Sequence, residues 1–229
     1  MTLPTVAILA GGLGTRLGDL ARDRPKPMIE IAGKPFLAHV IDSFVECGFL
    51  NFVLLVGHRA EVIEQWFGDG RLIGASVQYS RETEPLGTGG AVREAASLLG
   101  EHFIVTYGDI LRRFHYDQFA ENAENRLAVY PYQTGSTSIR SGNTEVNEDG
   151  RVTRFVKDGG LRYVDAGFAS VTAAALRMLP REGPCSFEST VYPQLAATGQ
   201  LSAEIVDFDF FDIGNPADLA RTRAALEEH

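Results

Sequence analysis

The chain has 229 residues, 45% of them hydrophobic and 22% charged, and carries a formal net charge of −9. That length fits one domain with a substantial core, and the acidic balance argues against nucleic acid or an anionic membrane as a partner. No apolar run reaches membrane-spanning length, no basic-then-apolar leader opens the chain, and the two cysteines, Cys47 and Cys185, lack metal-ligand spacing; the expectation is a cytoplasmic chain with reduced thiols.

In chain order, the apolar run Thr5 to Ala10 reads as a buried strand, and it stops at Gly11, Gly12 and Gly14. Pro35 to Cys47 carries apolar residues at helical spacing, with Gly48 as its stop. Asn51 to Val56 is a second buried strand, followed by a helix over Ala60 to Phe67, a strand over Ser76 to Ser80, a helix over Gly89 to Leu99, and a strand over Phe103 to Tyr107 that ends in Gly108-Asp109. This β-α-β-α-β-α-β order predicts an α/β fold: a parallel sheet covered on both faces, with ligands at the carboxyl ends of its strands. The remainder is less regular. It reads as a strand over Arg126 to Tyr132, a hairpin of Thr144 to Asn147 with Arg151 to Lys157 around Glu148-Asp149-Gly150, and strands over Tyr163 to Val171 and Ala203 to Phe211. Helices are expected over Thr172 to Leu179, Phe187 to Thr198 and Pro216 to Glu227. No linker interrupts the chain, so residues 1–229 read as a single domain.

The loop Gly11-Gly12-Leu13-Gly14-Thr15-Arg16-Leu17, followed by Arg24-Pro25-Lys26-Pro27-Met28, has the features of a polyphosphate site. Glycines let a backbone approach a ligand and present its amides to phosphate oxygens, and Arg16 and Lys26 supply cations. Two familiar loops do not fit. A dinucleotide fingerprint starting at Gly12 has Leu17 where its third glycine belongs, and the Gly-Lys pair of a P-loop occurs only as Gly33-Lys34-Pro35. The pattern G-G-x-G-T-R-L with a downstream P-K-P instead resembles the signature of the sugar-phosphate nucleotidyltransferases.

That resemblance extends over nearly the whole chain. It implies a three-layer, mostly parallel twisted sheet of the Rossmann-like nucleotidyltransferase type, with an antiparallel flap over the sugar side. The loop residues Ala10, Gly11, Gly12, Gly14 and Thr15 would bind the nucleotide. Glu82-Thr83-Glu84-Pro85-Leu86-Gly87-Thr88-Gly89-Gly90-Ala91 matches the segment that lines the base pocket, which assigns nucleotide contacts to Glu82, Pro85, Leu86, Gly87 and Thr88. Its form resembles guanylyl-transferring, heptose-handling members. A carboxylate there suits the donor edge of guanine, although acidic residues ahead of a helix also simply favour its N-terminal dipole.

Gly108-Asp109 and Asp212 in Phe211-Asp212-Ile213-Gly214-Asn215-Pro216 match the family's two metal-binding carboxylates, which implies Mg²⁺ held by Asp109 and Asp212. Asp-x-Gly before Pro is also an ordinary helix start. The sugar-phosphate contacts would be Gly108, Lys157, Asp165 and Gly167. Two departures stand out: Val156 where the family has Glu, and Asp165 where it has Asn. Ser186-Phe187-Glu188 matches a segment of heptose-type members but also reads as a helix cap, and Ile110-Leu111-Arg112-Arg113 departs from the family's small or polar residues.

The implied reaction joins an NTP, here GTP, to a sugar 1-phosphate, here D-glycero-α-D-manno-heptose 1-phosphate, with release of pyrophosphate. Arg16, Lys26 and Asp109 would be its catalytic groups. Three alternatives stay open: the same chemistry on mannose, amino-sugar or small alcohol phosphates; an idle nucleotide-sugar-binding regulator; and a dinucleotide oxidoreductase, which the failed fingerprint disfavours. No nucleic acid or membrane is expected as partner, and a homodimer is left open.

Overall fold

The computed structural model describes residues 3–12, 14, 17–18, 24–113, 115–120, 123–133, 141–157, 159–207 and 209–227. Its main strands are β1 (Thr5–Leu9), β2 (Asn51–Val56), β3 (Ser76–Arg81), β4 (His102–Tyr107), β5 (Ile110–Arg113), β6 (Arg126–Pro131), β7 (Thr144–Val146), β8 (Val152–Phe155), β9 (Tyr163–Thr172), β10 (Ser202–Ile205) and β11 (Asp209–Asp212), beside a two-residue ribbon of Glu30–Ile31 with Lys34–Pro35. The main helices are α1 (Phe36–Val45), α2 (Ala60–Phe67), α3 (Gly87–Glu94), α4 (Phe187–Ala197) and α5 (Pro216–Glu227).

A nine-stranded sheet forms the centre. Its parallel block runs β3-β2-β1-β4, with β1 paired to β2 in the register Val6↔Phe52 and to β4 in the register Val6↔Ile104. The block continues into β9, which is antiparallel to β4, and then into the β7–β8 hairpin; β6 pairs with β9, and β10 pairs parallel to β6.

Side-chain alternation explains the three layers. In β1, Val6 and Ile8 join one core cluster and Ala7 the other; in β2, Phe52, Leu54 and Val56 split from Val53 and Leu55 in the same way. Successive strand residues face opposite sides, so strands apolar at every position must be covered twice. Helices α1, α2 and α5 cover one face through Phe36, Ile63 and Leu219, and α3 and α4 cover the other through Val92 and Leu195.

The first half matches its expected elements to within a few residues, with one change. The expected helix over Gly89 to Leu99 begins earlier, as α3, and breaks at Ala95 before a short Ala96–Leu99 helix. The expected hairpin is present, with its turn closed by Gly150 at φ 74°.

Three differences lie in the second half. Thr172 to Leu179 forms a 3-10 helix, Ala173–Met178, rather than an α-helix. The expected strand over Ala203 to Phe211 is two strands, because the chain leaves the main sheet after β10 and forms a separate antiparallel ribbon, β11 with β5. β5 has no counterpart among the expected elements. The ribbon's register, Asp212↔Ile110, is what brings the end of β11 beside Asp109.

Candidate active site

The carboxyl ends of the parallel strands supply one wall of a cavity of about 830 Å³: Ala10 follows β1, Gly57 and His58 follow β2, Arg81 and Glu82 close β3, and Asp109 follows β4. This is where open α/β sheets collect ligands. The glycine loop keeps its place through Ala10 N–H, which donates to Leu55 O at 2.9 Å. Gly14 has φ 62°, which a side chain would strain. Gly12 differs: its φ is ordinary, and a Cβ built on it meets no described atom within 4 Å. Gly12 therefore leaves its space to the cavity it lines. Thr15 and Arg16 lie outside the described residues.

Lys26 is drawn into the cavity by its neighbours. It opens a 3-10 turn, Lys26–Met28, between Pro25 and Pro27, and all three residues of the turn are buried. Its Nζ donates to Asp109 Oδ2 at 2.5 Å. Asp212 approaches the same point from β11: Ile213 N–H donates to Asp109 O at 3.3 Å, and Gly214 N–H to Asp212 Oδ1 at 2.5 Å. Burial pushes the Asp212 carboxyl up, Lys26 opposes that shift, and Asp109 adds to it by like-charge repulsion. The two carboxylates thus converge around one cation although 103 positions separate them (212 − 109). Asn215 caps α5, accepting from Ala217 N–H and Asp218 N–H at 3.0 Å each. The segment is therefore both a helix start and a site wall.

The donor set suits Mg²⁺, a hard cation bound by one or two carboxylates with substrate phosphates completing the shell. No cluster of three or more metal-ligating side chains occurs among the described residues, so a metal here would draw its other ligands from phosphate and water.

The segment of residues 82–91 folds back over the cavity. Glu82 Oε2 accepts from Leu86 N–H at 3.1 Å, and burial raises its carboxyl against that bond. A Cβ on Gly57 would lie 2.6 Å from Glu82 Oε1, so Glu82 also packs against the strand ends. Glu84, Pro85, Gly87 and Thr88 line the cavity, whereas Leu86 is buried beneath it. Gly87, at φ 69°, sits against Cys185 O, which also accepts from Gly89 N–H at 2.8 Å.

Gly87, Thr88 and Tyr107 line a second cavity of about 570 Å³ as well. Its other walls include Asn143, Phe155, Lys157, Asp165, Ser186 and Glu188. Lys157 is exposed just beyond β8. Asp165 is fixed on both sides, its N–H donating to Asn143 Oδ1 at 2.8 Å and its Oδ1 accepting from Gly167 N–H at 2.6 Å. Burial lifts its carboxyl to about 7; Glu188 adds to the rise, and Gly167 N–H and Arg112 oppose it. A carboxyl that is partly neutral near pH 7 accounts for an Asp where the family pattern has an Asn. Val156 lines neither cavity; its Cγ2 packs against Gly159.

Gly108 and Gly167 are structural rather than lining. A Cβ on Gly108 would press on Leu37 and Ile8, and one on Gly167, at φ 65°, would lie 2.6 Å from Arg112 Nη2. Arg112 accounts for the unusual 110–113 segment. It is 3% exposed; its Nε donates to Ala166 O and its Nη1 to Thr106 Oγ1 at 3.0 Å, while Nη2 is buried with no hydrogen-bond partner among the described residues. It braces the stretch of β9 that carries Asp165 and Gly167, where the pairing with β6 shifts register. No motif singles out Tyr107 or Asn143, which the fold brings to the second cavity from separate elements; Arg112, conspicuous in the sequence, supports that wall from behind.

The nucleotidyl transferase family profile matches residues 5–229. A mannose-1-phosphate guanylyltransferase of Mycobacterium tuberculosis is 31% identical over 227 residues, covering 96% of this chain and 63% of that protein. The chain thus spans under two thirds of that relative's length. The D-glycero-alpha-D-manno-heptose 1-phosphate guanylyltransferase of Campylobacter jejuni is 33% identical over 218 residues, covering 92% of this chain and 95% of that one. The crystal structure of HddC from Yersinia pseudotuberculosis, complexed with GMP-PN, superposes with a TM-score of 0.81 at 28% identity, over 97% of this chain and 99% of that one. A profile match along the whole described sheet, with relatives of this identity and coverage, makes the chain a member of the nucleotidyl transferase family.

Proposed function

We propose that this chain transfers GMP from GTP to a manno-configured sugar 1-phosphate and releases pyrophosphate. The observation that supports this most is the pair of cavities sharing a wall at Gly87, Thr88 and Tyr107, one with a glycine loop and a Lys26–Asp109 pair, the other with Lys157 and a ring of hydroxyl and carboxylate groups. GTP as donor is supported by relatives named guanylyltransferases. The acceptor we favour is D-glycero-α-D-manno-heptose 1-phosphate, on the strength of Ser186-Phe187-Glu188 and the Campylobacter relative; mannose 1-phosphate, which shares the ring configuration, is the second reading, supported by the Mycobacterium relative.

In this reading a phosphate oxygen of the sugar 1-phosphate attacks the α-phosphorus of GTP. One O–P bond forms, the bond to the β-phosphate oxygen breaks, and pyrophosphate leaves. No enzyme nucleophile is required. The amides of Gly11, Gly12 and Gly14 would cradle phosphate oxygens, Lys26 and Arg16 would offset charge on the leaving pyrophosphate, and Lys157 would orient the attacking phosphate. Asp109 and Asp212 would hold Mg²⁺, which when bound supplies charge neutralisation and Lewis acidity at the phosphates.

The test is pyrophosphate release with GTP, ATP, CTP and UTP crossed against heptose, mannose and amino-sugar 1-phosphates, with and without EDTA. Release with GTP and a manno-configured acceptor, lost with EDTA and restored by Mg²⁺, is the expected outcome. Release with another pair would replace the substrate and keep the chemistry. Nucleotide-sugar binding without release from any pair would overturn catalysis in favour of a regulator.

A further inference from the structure

Glu188 is held by three elements at once. Its Oε1 accepts from Tyr107 Oη at the end of β4, and its Oε2 from Thr88 Oγ1 of α3 at 2.8 Å and Ser186 Oγ ahead of α4 at 2.7 Å. An ionised carboxylate only accepts, so the hydroxyls are the donors. Thr88 Oγ1 in turn accepts from Phe187 N–H at 2.8 Å, and Ser186 Oγ accepts from Ser189 N–H at 3.1 Å and lies 3.2 Å from Ser189 Oγ, a longer alternative to its 2.7 Å bond to Glu188. Burial and the neighbouring Glu188 hold the Tyr107 phenol well above its ordinary range, so it stays protonated and donates.

A carboxylate has about four acceptor positions. Three are filled, and the fourth is on Oε1, on a side chain that lines the second cavity. Asp165 lines the same cavity, with Oδ1 engaged by Gly167. Its two carboxylates face a single cation, Lys157, among the lining residues.

We infer that Glu188 is a specificity-determining residue that accepts a hydrogen bond from one ring hydroxyl of the acceptor sugar, and that with Asp165 it restricts this cavity to uncharged, polyhydroxylated sugar 1-phosphates and turns away sugars that carry a carboxylate. This rests on the reading of the second cavity as the sugar side. The warrant is preorganisation: the donors from three elements fix the carboxylate before substrate arrives, so the remaining lone pair meets a hydroxyl with little further ordering. A uronate in its place would set like charges together.

The experiment compares wild type, Glu188→Gln and Glu188→Asp in pyrophosphate release with GTP. The acceptors are D-glycero-α-D-manno-heptose 1-phosphate, mannose 1-phosphate, the 2-, 3-, 4- and 6-deoxy analogues of whichever of the two wild type uses, and mannuronate 1-phosphate. In wild type one deoxy analogue should lose about 10-fold or more in kcat/KM. Glu188→Gln should lower kcat/KM for the acceptor that wild type uses by about 10–100-fold, erase that one deoxy penalty, leave the KM for GTP within about 2-fold, and raise the ratio of mannuronate to that acceptor about 10-fold. Glu188→Asp, which keeps the charge but withdraws it, should continue to reject mannuronate while losing the one deoxy penalty, and that loss carries the test if the Gln variant fails to fold. An unchanged deoxy profile and an unchanged mannuronate ratio in both variants would overturn the inference alone. Absence of release by wild type with any acceptor would overturn the proposed function and this inference with it.

Discussion

The two cavities share a wall and little else. The first cavity, proposed above as the nucleotide side, takes its lining from strand ends, a glycine loop and one short proline-bounded turn hung on the parallel strands β1 to β4, with the Lys26, Glu82 and Asp109 side chains set into that backbone. The second, proposed as the sugar side, is lined by hydroxyl, amide and carboxylate residues gathered from β8, β9, the start of α4 with the loop before it, and Asn143. Backbone cradles are indifferent to what hangs from the phosphates, whereas hydroxyl and carboxylate side chains can be exchanged one at a time. Such a division lets a family keep one chemistry while changing acceptors. It also predicts that damage to the first cavity lowers turnover on every substrate, and damage to the second changes which acceptor is used.

The largest effect should come from the Lys26–Asp109 pair. Asp109→Asn keeps an acceptor for Lys26 Nζ while removing the charge, and Lys26→Ala removes the cation. Each should lower kcat by on the order of 10²–10³ with every acceptor and leave the far-UV circular dichroism unchanged. A variant with near-wild-type turnover would remove that residue from the mechanism. Next is Lys157→Ala. Its side chain is exposed, so the fold should not notice; the KM for the sugar 1-phosphate should rise about 10–100-fold with the KM for GTP unmoved, since a charge-assisted phosphate contact is lost on one side only. A matching rise for GTP would erase the distinction between the cavities.

The same division decides what could be read from the sequence. The proposed nucleotide side is drawn from a few contiguous segments, Gly11 to Gly14, Lys26 and residues 82–91, so its motifs can be read along the chain; of their glycines, Gly14 and Gly87 have positive φ, whereas Gly12 is not forced by its surroundings. The parallel block was equally legible, because strands buried on both faces are apolar at every position. The second cavity was legible only in part: Lys157, Asp165 and Ser186-Phe187-Glu188 stand out in the sequence and come to it, but the contacts that join its residues, such as Thr88 with Glu188, 100 positions apart, do not show there. The β5–β11 ribbon went unseen for a related reason. Ile110 to Arg113 looks like a loop with two surplus arginines until β11 pairs with it and Arg112 turns inward. Gly108 and Gly167, expected to touch the sugar phosphate, line neither cavity, and a side chain at either would press on Leu37 or Arg112.

A smaller effect sharpens the nucleotide half. Gly12→Ala adds a methyl where no described atom lies within 4 Å, so the melting temperature should hold or rise slightly as the unfolded chain loses freedom. The KM for GTP should rise about 10-fold, because the methyl occupies space that the phosphates approach. Gly57→Ala is the contrast: its methyl would lie 2.6 Å from Glu82 Oε1, so both stability and nucleotide affinity should fall. Equal behaviour of the two variants in a thermal melt would show that Gly12 is merely structural.

The smallest effect concerns Asp165, and it separates charge from shape on the sugar side. Its carboxyl titrates near 7 in the folded chain against an ordinary value of 3.8. Below about pH 4 both states hold the proton and Asp165 adds no pH dependence. As pH rises to about 7 the unfolded chain releases the proton while the native chain keeps it, so stability falls through that window and levels off above it. Asp165→Asn removes the titration without changing the shape. The melting temperature of the variant relative to wild type should therefore climb between about pH 4 and pH 7 and then stay flat. The size should be on the order of 1 kcal/mol, well below the full shift because the side chain lines an open cavity, or about 2–4 °C for a chain of this size. A difference independent of pH would mean that the Asp165 carboxyl titrates alike in the folded and unfolded chains, and so is ionised near pH 7. In that case the two carboxylates of the cavity would meet the acceptor as a full pair of charges, and the discrimination against mannuronate in wild type should be correspondingly steeper.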